Sequence, residues 1–335
     1  MMQPSQSYWR RVWRHFTRNI LAVVGLCVVI VLLLMALCAD FLANDKPYYM
    51  VYKGKTYLPI LQGYLDSLGL ASWPEELRQI DFTQLPAEQA LFPPIPYRPN
   101  RINLLVPFVE PSPEHWLGTD KLGRDVMAGI IHGARISLSI GFVSVGIAVC
   151  IGIALGALAG YFGGWEDLVI SRVFELMLAI PTFFLLITVA ATLKQPNIFY
   201  TMIIIGFTSW VGIARFTRNE FLKVRNLDYV VAAVALGVPT RRIIVRHILP
   251  NTLAPVLVSV VLGIAGAILT ESGLSFLGIG VPAELVTWGS ILNEARSNTF
   301  AWWLAVFPGA AIFLAVVAYN LVGEGLRDAL DPRLQ

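Results

Sequence analysis

The sequence predicts an all-α membrane protein with six membrane-spanning helices, and three observations lead to that fold class. Of the 335 residues, 56% are hydrophobic and 14% are charged, whereas a soluble domain carries roughly 25% charged residues. Six apolar stretches reach or approach the ~20 residues that a helix needs to cross a bilayer core. An excess of basic residues occurs in two segments outside those stretches, whereas the long segment from Asp40 to Arg135 holds nine basic and eleven acidic residues and lies outside the range in which the positive-inside rule counts charges. Together these features exclude an ordinary soluble protein.

The six predicted spans differ in length and polarity. They cover residues 20–42, 136–160, 168–192, 198–214, 252–278 and 302–322. The first is longer than the ~7–15 apolar residues of a cleavable signal peptide, so we expect a retained anchor helix. The third has Pro181 inside it, and Arg172 and Glu175 near its start are interpreted as an i, i+3 pair. The fourth is the weakest, because it is short and ends at Arg215.

Basic residues set the predicted orientation. An even number of spans puts both termini on one side, and the positive-inside rule assigns the basic segments to the cytoplasm. The arm 1–19 and the loop 215–251 carry these residues, which are Arg10, Arg11, Arg14, Arg18, Arg215, Arg218, Lys223, Arg225, Arg241, Arg242 and Arg246. We therefore expect a cytoplasmic arm, an outer segment at 43–135, a five-helix core at 136–322 and a cytoplasmic tail at 323–335.

The loop 215–251 ends in the stretch DYVVAAVALGVPTRRIIVRHILPN, which predicts two helices joined at a glycine. We call this stretch, residues 228–251, the elbow. Asp228 is expected to cap the first helix, and Gly237 to supply the left-handed residue that ends it. The second helix is expected to begin at Pro239 and to be closed by Pro250.

The second helix of the elbow is amphipathic. Its apolar side consists of Ile243, Ile244 and Ile248, and its water-facing side of Arg241, Arg242 and Arg246. In the first helix Ala232 and Ala233 are small, so a partner could approach closely, or the elbow could pack on its own membrane helices. The residues alone do not decide between these two interpretations of the elbow. A helix-turn-helix that reads DNA is excluded because membrane spans hold the loop at both ends, so no nucleic-acid partner is expected.

Four motifs resemble those of bacterial ABC importer permeases. The order A-A-x-x-x-G and then L-P, at Ala232, Ala233, Gly237, Leu249 and Pro250, resembles their EAA motif, although Val231 replaces the usual Glu and His247 the usual Ile. HWLGTDKLGRDVMAGIIHGARISL (115–138), SGLSFLGIG (272–280) and GEGLRDALDP (323–332) resemble segments of the di- and oligopeptide permeases. The long segment opening with ANDKP is most similar to the subgroup that includes the microcin C importers.

This resemblance implies the type I ABC importer permease fold and a permease subunit that moves peptides or peptide conjugates from periplasm to cytoplasm. It places the chain in a bacterial inner membrane, beside a second homologous permease and a periplasmic substrate-binding protein. Two cytoplasmic ATPase subunits would bind ATP and magnesium, while this chain binds no cofactor and is not an enzyme. The residues implied to couple to the ATPase are Asp228, Tyr229, Ala232, Ala233, Leu236, Gly237, Arg241 and Arg242.

Several other features are predicted to be structural. Asp120 and Asp125 lack the spacing of a calcium loop, and His15, His115 and His132 lack ligand partners, so no metal site is expected. A helix with an apolar face at Val126, Met127, Ile130 and Ile131 is expected on the outer membrane interface, with Arg124 and Asp125 in water. Gly152, Gly156 and Gly160 favour tight helix packing. Cys27, Cys38 and Cys150 are interpreted as small core residues.

Two features leave alternatives open. Glu271, inside a predicted span, could line the translocation path and meet a substrate amine, or it could bond Ser272 or a neighbouring helix or lie at the outer interface; we favour this structural role. Residues 44–114 are rich in Pro and Tyr and form either a small ordered insert or a partly extended strap. Alternative functions are a membrane-anchored receptor or scaffold, and an importer of a non-peptide solute such as nickel.

Overall fold

The computed structural model describes residues 8–70, 72–74, 77, 81–83, 85, 88–192, 197–282 and 284–330. The ends of the predicted arm and tail, 1–7 and 331–335, lie outside this range. The helices are α1 Tyr8–Phe16, α2 Ile20–Leu37, α3 Ala39–Leu42, α4 Pro59–Ser67, α5 Val126–Phe162, α6 Gly164–Ala179, α7 Thr182–Thr192, α8 Ile198–Val224, α9 Asp228–Ala235, α10 Thr240–Arg242, α11 Leu249–Phe276, α12 Trp288–Ala295 and α13 Trp303–Leu330.

Within the described residues, five helices are long and apolar enough to cross a membrane: α2, α5, α8, the run from α10 through α11, and α13. Helices α6 and α7 form a sixth crossing if they are taken as one span, bent by 81°. The bend lies at Pro181, and the residue before it, Ile180, is extended with φ −91° and ψ 121°. Proline disfavours the helical conformation in the preceding residue, which explains the break in the predicted third span.

Three spans are longer than predicted. Helix α8 continues past Arg215 to Val224, α13 continues past residue 322 to Leu330, and α5 begins at Val126 rather than at 136. The predicted spans end where charged residues begin. A helix can continue through charged residues, because it needs only its backbone hydrogen bonds and partners for its polar side chains. The predicted tail is therefore largely a continuation of the last span.

The core is built on α5 and α8, which run parallel and in close contact. A Cβ added to Gly156 would lie 2.4 Å from the Ala214 carbonyl oxygen, and one added to Gly160 would lie 2.5 Å from Phe221 Cβ. These distances agree with the predicted role of the glycines in tight helix packing. Helix α11 packs on this pair and on α13, and α2 packs on α13.

At the end of the core where α5 begins, two buried tryptophans tie the loops together. Trp288 Nε1 donates to the Ile130 carbonyl oxygen at 2.9 Å, and Trp303 Nε1 donates to the Thr119 carbonyl oxygen at 3.0 Å. Both indoles have almost no exposed surface. The start of α12 is thereby held against α5, and the start of α13 is held against the loop that leads into α5.

Part of the outer segment forms a small ordered insert, the first of the two alternatives. Strand β1 (Tyr49–Tyr52) lies between β2 (Lys55–Tyr57) and β3 (Gln89–Leu91), antiparallel to both. Met50 pairs with Tyr57 and with Ala90 and is buried in a cluster with Leu77 and Phe82. Lys53 and Gly54 have φ of 51° and 71°, as a type I′ hairpin turn requires. The all-α class thus holds for the membrane part, with this sheet added.

The expectation that Arg124 and Asp125 lie in water, before a separate interfacial helix, was wrong. Asp125 caps α5 by accepting from the Ala128 N–H at 2.8 Å, and its Oδ2 lies 2.9 Å from His115 Nδ1. Burial raises the pKa of the Asp125 carboxyl. Arg124 donates to Glu294 Oε1 at 2.6 Å and to Asp120 Oδ2 at 2.5 Å. Since Glu294 lies far away in the sequence, no local pattern could show this ion pair.

The three cysteines are exposed on the outer surface of the helices, so their interpretation as core residues was wrong. In a membrane protein the surface that faces lipid is as apolar as the core, and an apolar neighbourhood does not distinguish the two. No group of three or more His, Cys, Asp or Glu side chains within the described ranges could hold a metal ion.

Candidate functional site

The turn of the elbow has the geometry that its glycine predicts. Gly237 has φ +71°. Its N–H donates to the Val234 carbonyl oxygen at 3.0 Å, and the Val238 N–H donates to the Ala233 carbonyl oxygen at 3.1 Å. These two bonds form a Schellman motif, which ends α9 sharply. The predicted cap was displaced by one residue, because Leu227 is the N-cap and Asp228 is the first residue of α9.

The second arm of the elbow continues directly into the membrane, so the prediction that Pro250 closes it was wrong. After α10 the chain forms a π-helical turn, Ile243–Ile248, and then α11. The Leu249 N–H donates to the Ile244 carbonyl oxygen, five residues back. In an α-helix the Pro250 ring would clash with the carbonyl group four residues back, and the wider π turn relieves that clash. The elbow is therefore continuous with the fifth span.

The inner side of the elbow packs on the ends of α5 and α8. A buried cluster joins the three elements and consists of Ala157, Phe221, Val224, Val230, Ala233, Ile243 and Ile248. Arg225, just after α8, donates to the carbonyl oxygens of Gly160 and Tyr161 at 3.1 and 3.2 Å, near the end of α5. Arginine at a helix C-terminus satisfies carbonyl groups that the helix leaves unpaired. A movement of the elbow would thus be passed to both central helices.

An ion pair also holds α8 at this end of the molecule. The Arg218 guanidinium donates to both carboxylate oxygens of Asp167 on α6, with Nη2 2.6 Å from Oδ2. Arg172 and Glu175, the predicted i, i+3 pair on α6, are also in contact and exposed. Sequence patterns gave no signal for Arg218 and Asp167, because they lie 51 positions apart.

The outer side of α9 is apolar and exposed. Leu236 is 82% exposed, and Val231 and Val234 are 54% and 55% exposed. Of the residues implied to couple to the ATPase, Ala233 faces inward, and the other seven are exposed: Asp228, Tyr229, Ala232, Leu236, Gly237, Arg241 and Arg242. Large aliphatic side chains exposed beside several arginines are typical of a surface that a protein partner covers.

Tyr229 also joins the two arms of the elbow. Its hydroxyl donates to the His247 carbonyl oxygen at 3.4 Å and accepts from Asn251 Nδ2 at 3.1 Å. No motif in the sequence pointed to Val234 or Asn251. Val231 stands where the EAA motif has its acidic residue, and it adds apolar surface to α9 instead.

Glu271 lies at the contact of α11 with α5 and has no exposed surface. Its Oε1 accepts from the Ser275 hydroxyl at 2.7 Å, and its Oε2 accepts from the Ser137 hydroxyl at 3.3 Å and from the Ser272 hydroxyl at 3.5 Å. The structural role expected bonds to Ser272 or to a neighbouring helix, and Glu271 accepts from both Ser272 and Ser137 of α5. In this conformation the carboxylate faces the interior of its own chain.

Comparison with known proteins relates these features to a family. Residues 152–335 match the family described as binding-protein-dependent transport system inner membrane component. The chain belongs to that family. In addition, residues 7–59 match the N-terminal TM domain of oligopeptide transport permease C.

Three relatives align with nearly the whole chain. The dipeptide transport system permease protein DppC of Alkalihalophilus pseudofirmus is 34% identical over 98% of this chain and 91% of its own length. The inner membrane ABC transporter permease protein YejE of Escherichia coli is 36% identical over 96% of both chains. The oligopeptide transport system permease protein OppC of Bacillus subtilis is 32% identical over 99% of this chain and 92% of its own length.

Among solved structures, a chain of the MetNI methionine ABC transporter in an inward-facing conformation covers 62% of this inner membrane component at 16% identity, with a TM-score of 0.48.

Family membership confirms the resemblance to ABC importer permeases. This inner membrane component is a multi-pass permease subunit and not itself an enzyme.

Proposed function

We propose that this permease subunit imports peptides or peptide conjugates from the periplasm into the cytoplasm, driven by ATP hydrolysis on separate subunits. The names of the relatives support the solute class, since dipeptide and oligopeptide permeases align with almost the whole chain. The mechanism rests on one observation, the exposed apolar face of α9. The buried side of the elbow packs on the central helices α5 and α8, and the exposed face has no partner within the described part of the chain.

The proposed partners follow from the same surfaces. Two cytoplasmic ATPase subunits bind ATP and magnesium, and the exposed face of α9 docks on one of them. A second homologous permease completes the translocation path, and a periplasmic substrate-binding protein delivers the peptide on the side of the insert. Both termini lie in the cytoplasm with the elbow, as the clustering of arginines in the arm and the loop indicates.

The transfer of motion is proposed to run through the buried side of the elbow. When the ATPase subunits close, they displace α9. The cluster around Phe221 and Ile248, together with the bonds from Arg225 to the end of α5, passes that displacement to α8 and α5. Tightly packed helices move as a unit rather than deform, so the far ends of both helices shift as well.

The test is to add bulk to the outer face of α9. Ala232 is exposed in a regular helix, so Ala232→Trp adds a large side chain without backbone strain. We expect normal membrane insertion and a fall in peptide uptake of roughly tenfold or more, the factor that a loss of about 1.4 kcal/mol of docking free energy produces. Gly237→Trp should act in the same direction. Uptake is measured in vesicles with the partner subunits.

Gly237→Asn is the matched control. Asparagine tolerates positive φ and is small, so uptake should stay near that of the unaltered protein. Unchanged uptake in Ala232→Trp would contradict the docking role of α9. A complex that transports only metal ions or sugars would contradict the peptide assignment and leave the docking role intact.

A further inference from the structure

Helix α4 of the insert and the two residues that flank it expose a leucine stripe, defined as Leu58 (the N-cap), Leu61 and Leu68 (the C-cap). Their side chains are 47%, 51% and 70% exposed. Intervals of three and seven residues place them on one side of a helix. Pro59 and Ile60, which lie outside the stripe, are buried. An exposed stripe of large apolar side chains on a nine-residue helix needs an apolar environment.

The leucine stripe is fixed next to the end of the first span. Tyr64, also exposed on α4, stacks on Phe41 of α3 with ring centroids 6.5 Å apart and planes at 19°. The Tyr64 hydroxyl donates to Asp40 Oδ2 at 2.5 Å. Asp40 in turn pairs with Arg135 of α5 at 2.9 Å. Helix α4 is thus attached to α3, which directly follows α2.

The stripe also continues the outward face of α2. Leu34 and Leu37 are 53% and 71% exposed, and Phe41 is 46% exposed. Intervals of three and four residues put these side chains on one face of the helical segment. Because α2 spans the membrane, this face contacts lipid. Exposed apolar side chains thus lead from Leu37 in the membrane through Phe41 to Tyr64 on α4, the helix that carries Leu61 of the leucine stripe.

The point at which α2 leaves the acyl chains indicates how deeply α4 lies in the membrane. The apolar run of α2 ends at Leu37, and the first carboxylate after it is Asp40. A carboxylate paired with arginine at that point marks the boundary between the acyl chains and the headgroups. Tyrosine is enriched at the same level, where its ring lies in apolar surroundings and its hydroxyl in polar ones. Tyr64 and Asp40 meet at this boundary.

We propose that α4 is an interfacial helix whose leucine stripe lies in the lipid headgroup and acyl-chain boundary of the leaflet next to the insert. It anchors the insert to the bilayer and fixes the height of its sheet above the membrane. Amphipathic helices bind membranes in this way, with the apolar face buried about 5–10 Å into the boundary region.

Site-directed spin labelling tests the position of α4. The full-length chain, with its native cysteines replaced by alanine, is placed in nanodiscs of phosphatidylethanolamine and phosphatidylglycerol. Single cysteines replace Leu61 and Leu68 on the stripe. Asp66→Cys, exposed on the same helix outside the stripe, is the matched control, and Lys55→Cys in β2 reports on water. Collisions of each label with oxygen and with the water-soluble complex Ni(II)-EDDA are compared.

We expect the ratio of oxygen to Ni(II)-EDDA collisions at residues 61 and 68 to be several-fold higher than at residues 66 and 55, since oxygen concentrates in lipid and the nickel complex in water. Equal ratios at all four positions would overturn the proposal. So would exclusion of both reagents from residues 61 and 68, which would show a protein partner on the stripe. If Leu61→Cys fails to fold, Leu58→Cys on the same stripe replaces it.

Discussion

At Glu271 the surrounding residues supply the hydrogen bonds that water would otherwise make. Hydroxyl groups of Ser137, Ser272 and Ser275 all donate to the carboxylate, and the site has no exposed surface. Ser137 lies on α5, so these bonds cross from α11 to a central helix. A buried polar network of this kind stabilises a helix contact only while each donor keeps its acceptor.

Substitutions at Glu271 separate its structural role from a role in the translocation path. Glu271→Gln keeps an oxygen acceptor, whereas Glu271→Leu leaves buried hydroxyls without one, which costs about 1–3 kcal/mol. We expect the thermal unfolding midpoint in detergent to fall clearly in Glu271→Leu and little in Glu271→Gln, with uptake by Glu271→Gln retained. Loss of uptake in a stably folded Glu271→Gln would instead favour contact with substrate.

Single residues were predictable where their own backbone determines the outcome. Gly237 ends α9 because a left-handed conformation is needed there, and that requirement is visible in the sequence. Arg124 and Asp125 were misplaced because their partners, Glu294 and His115, are brought to them by the fold. The exposed position of the cysteines was missed because lipid and core are equally apolar.

At the scale of elements, the contact between α5 and α8 depends on glycines that allow the backbones to approach. Close approach gains van der Waals contacts along both helices, which is the main source of helix association where lipid replaces water. Gly206 of α8 makes the reciprocal contact, since a Cβ there would lie 2.8 Å from the Ser144 carbonyl oxygen. Both helices therefore contribute glycines to the contact.

Alanine substitutions test this packing. In Gly156→Ala the new methyl group would meet the Ala214 carbonyl oxygen, and we expect a destabilisation of about 1–3 kcal/mol, typical of overpacked sites. Gly146 lies on the same helix with nothing within 4 Å of an added Cβ. Gly146→Ala should be neutral or stabilise by up to about 1 kcal/mol, because glycine weakens a helix. Similar thermal unfolding midpoints for the two variants would show that the close approach is not needed.

The spans were predictable as elements because about 20 apolar residues in a row have few other structures available in a membrane. The ends of the spans were not predictable, because a helix can continue through charged residues, as α8 does at Arg215. The π turn was missed because Pro250 alone indicates a helix end. The strands of the insert are three or four residues long, too short to show an alternating pattern.

In the whole molecule, α5 connects the two regions to which we assign external partners. It begins at the cap formed by Asp125 next to the insert and ends at the elbow cluster, 37 residues later. About 1.5 Å per residue makes such a helix long enough to cross the bilayer core and project beyond it. A displacement at the elbow therefore has a direct mechanical route to the insert side.

The most direct measurement of the coupling role is the labelling of single cysteines by a membrane-impermeant maleimide, in a chain without native cysteines. Leu236→Cys reports on the elbow and Lys55→Cys on the insert. We expect Lys55→Cys to react from outside intact cells, and Leu236→Cys only after the membrane is opened, with protection when the partner ATPase subunits are bound. Reaction of Leu236→Cys from outside intact cells would contradict the cytoplasmic coupling role of the elbow.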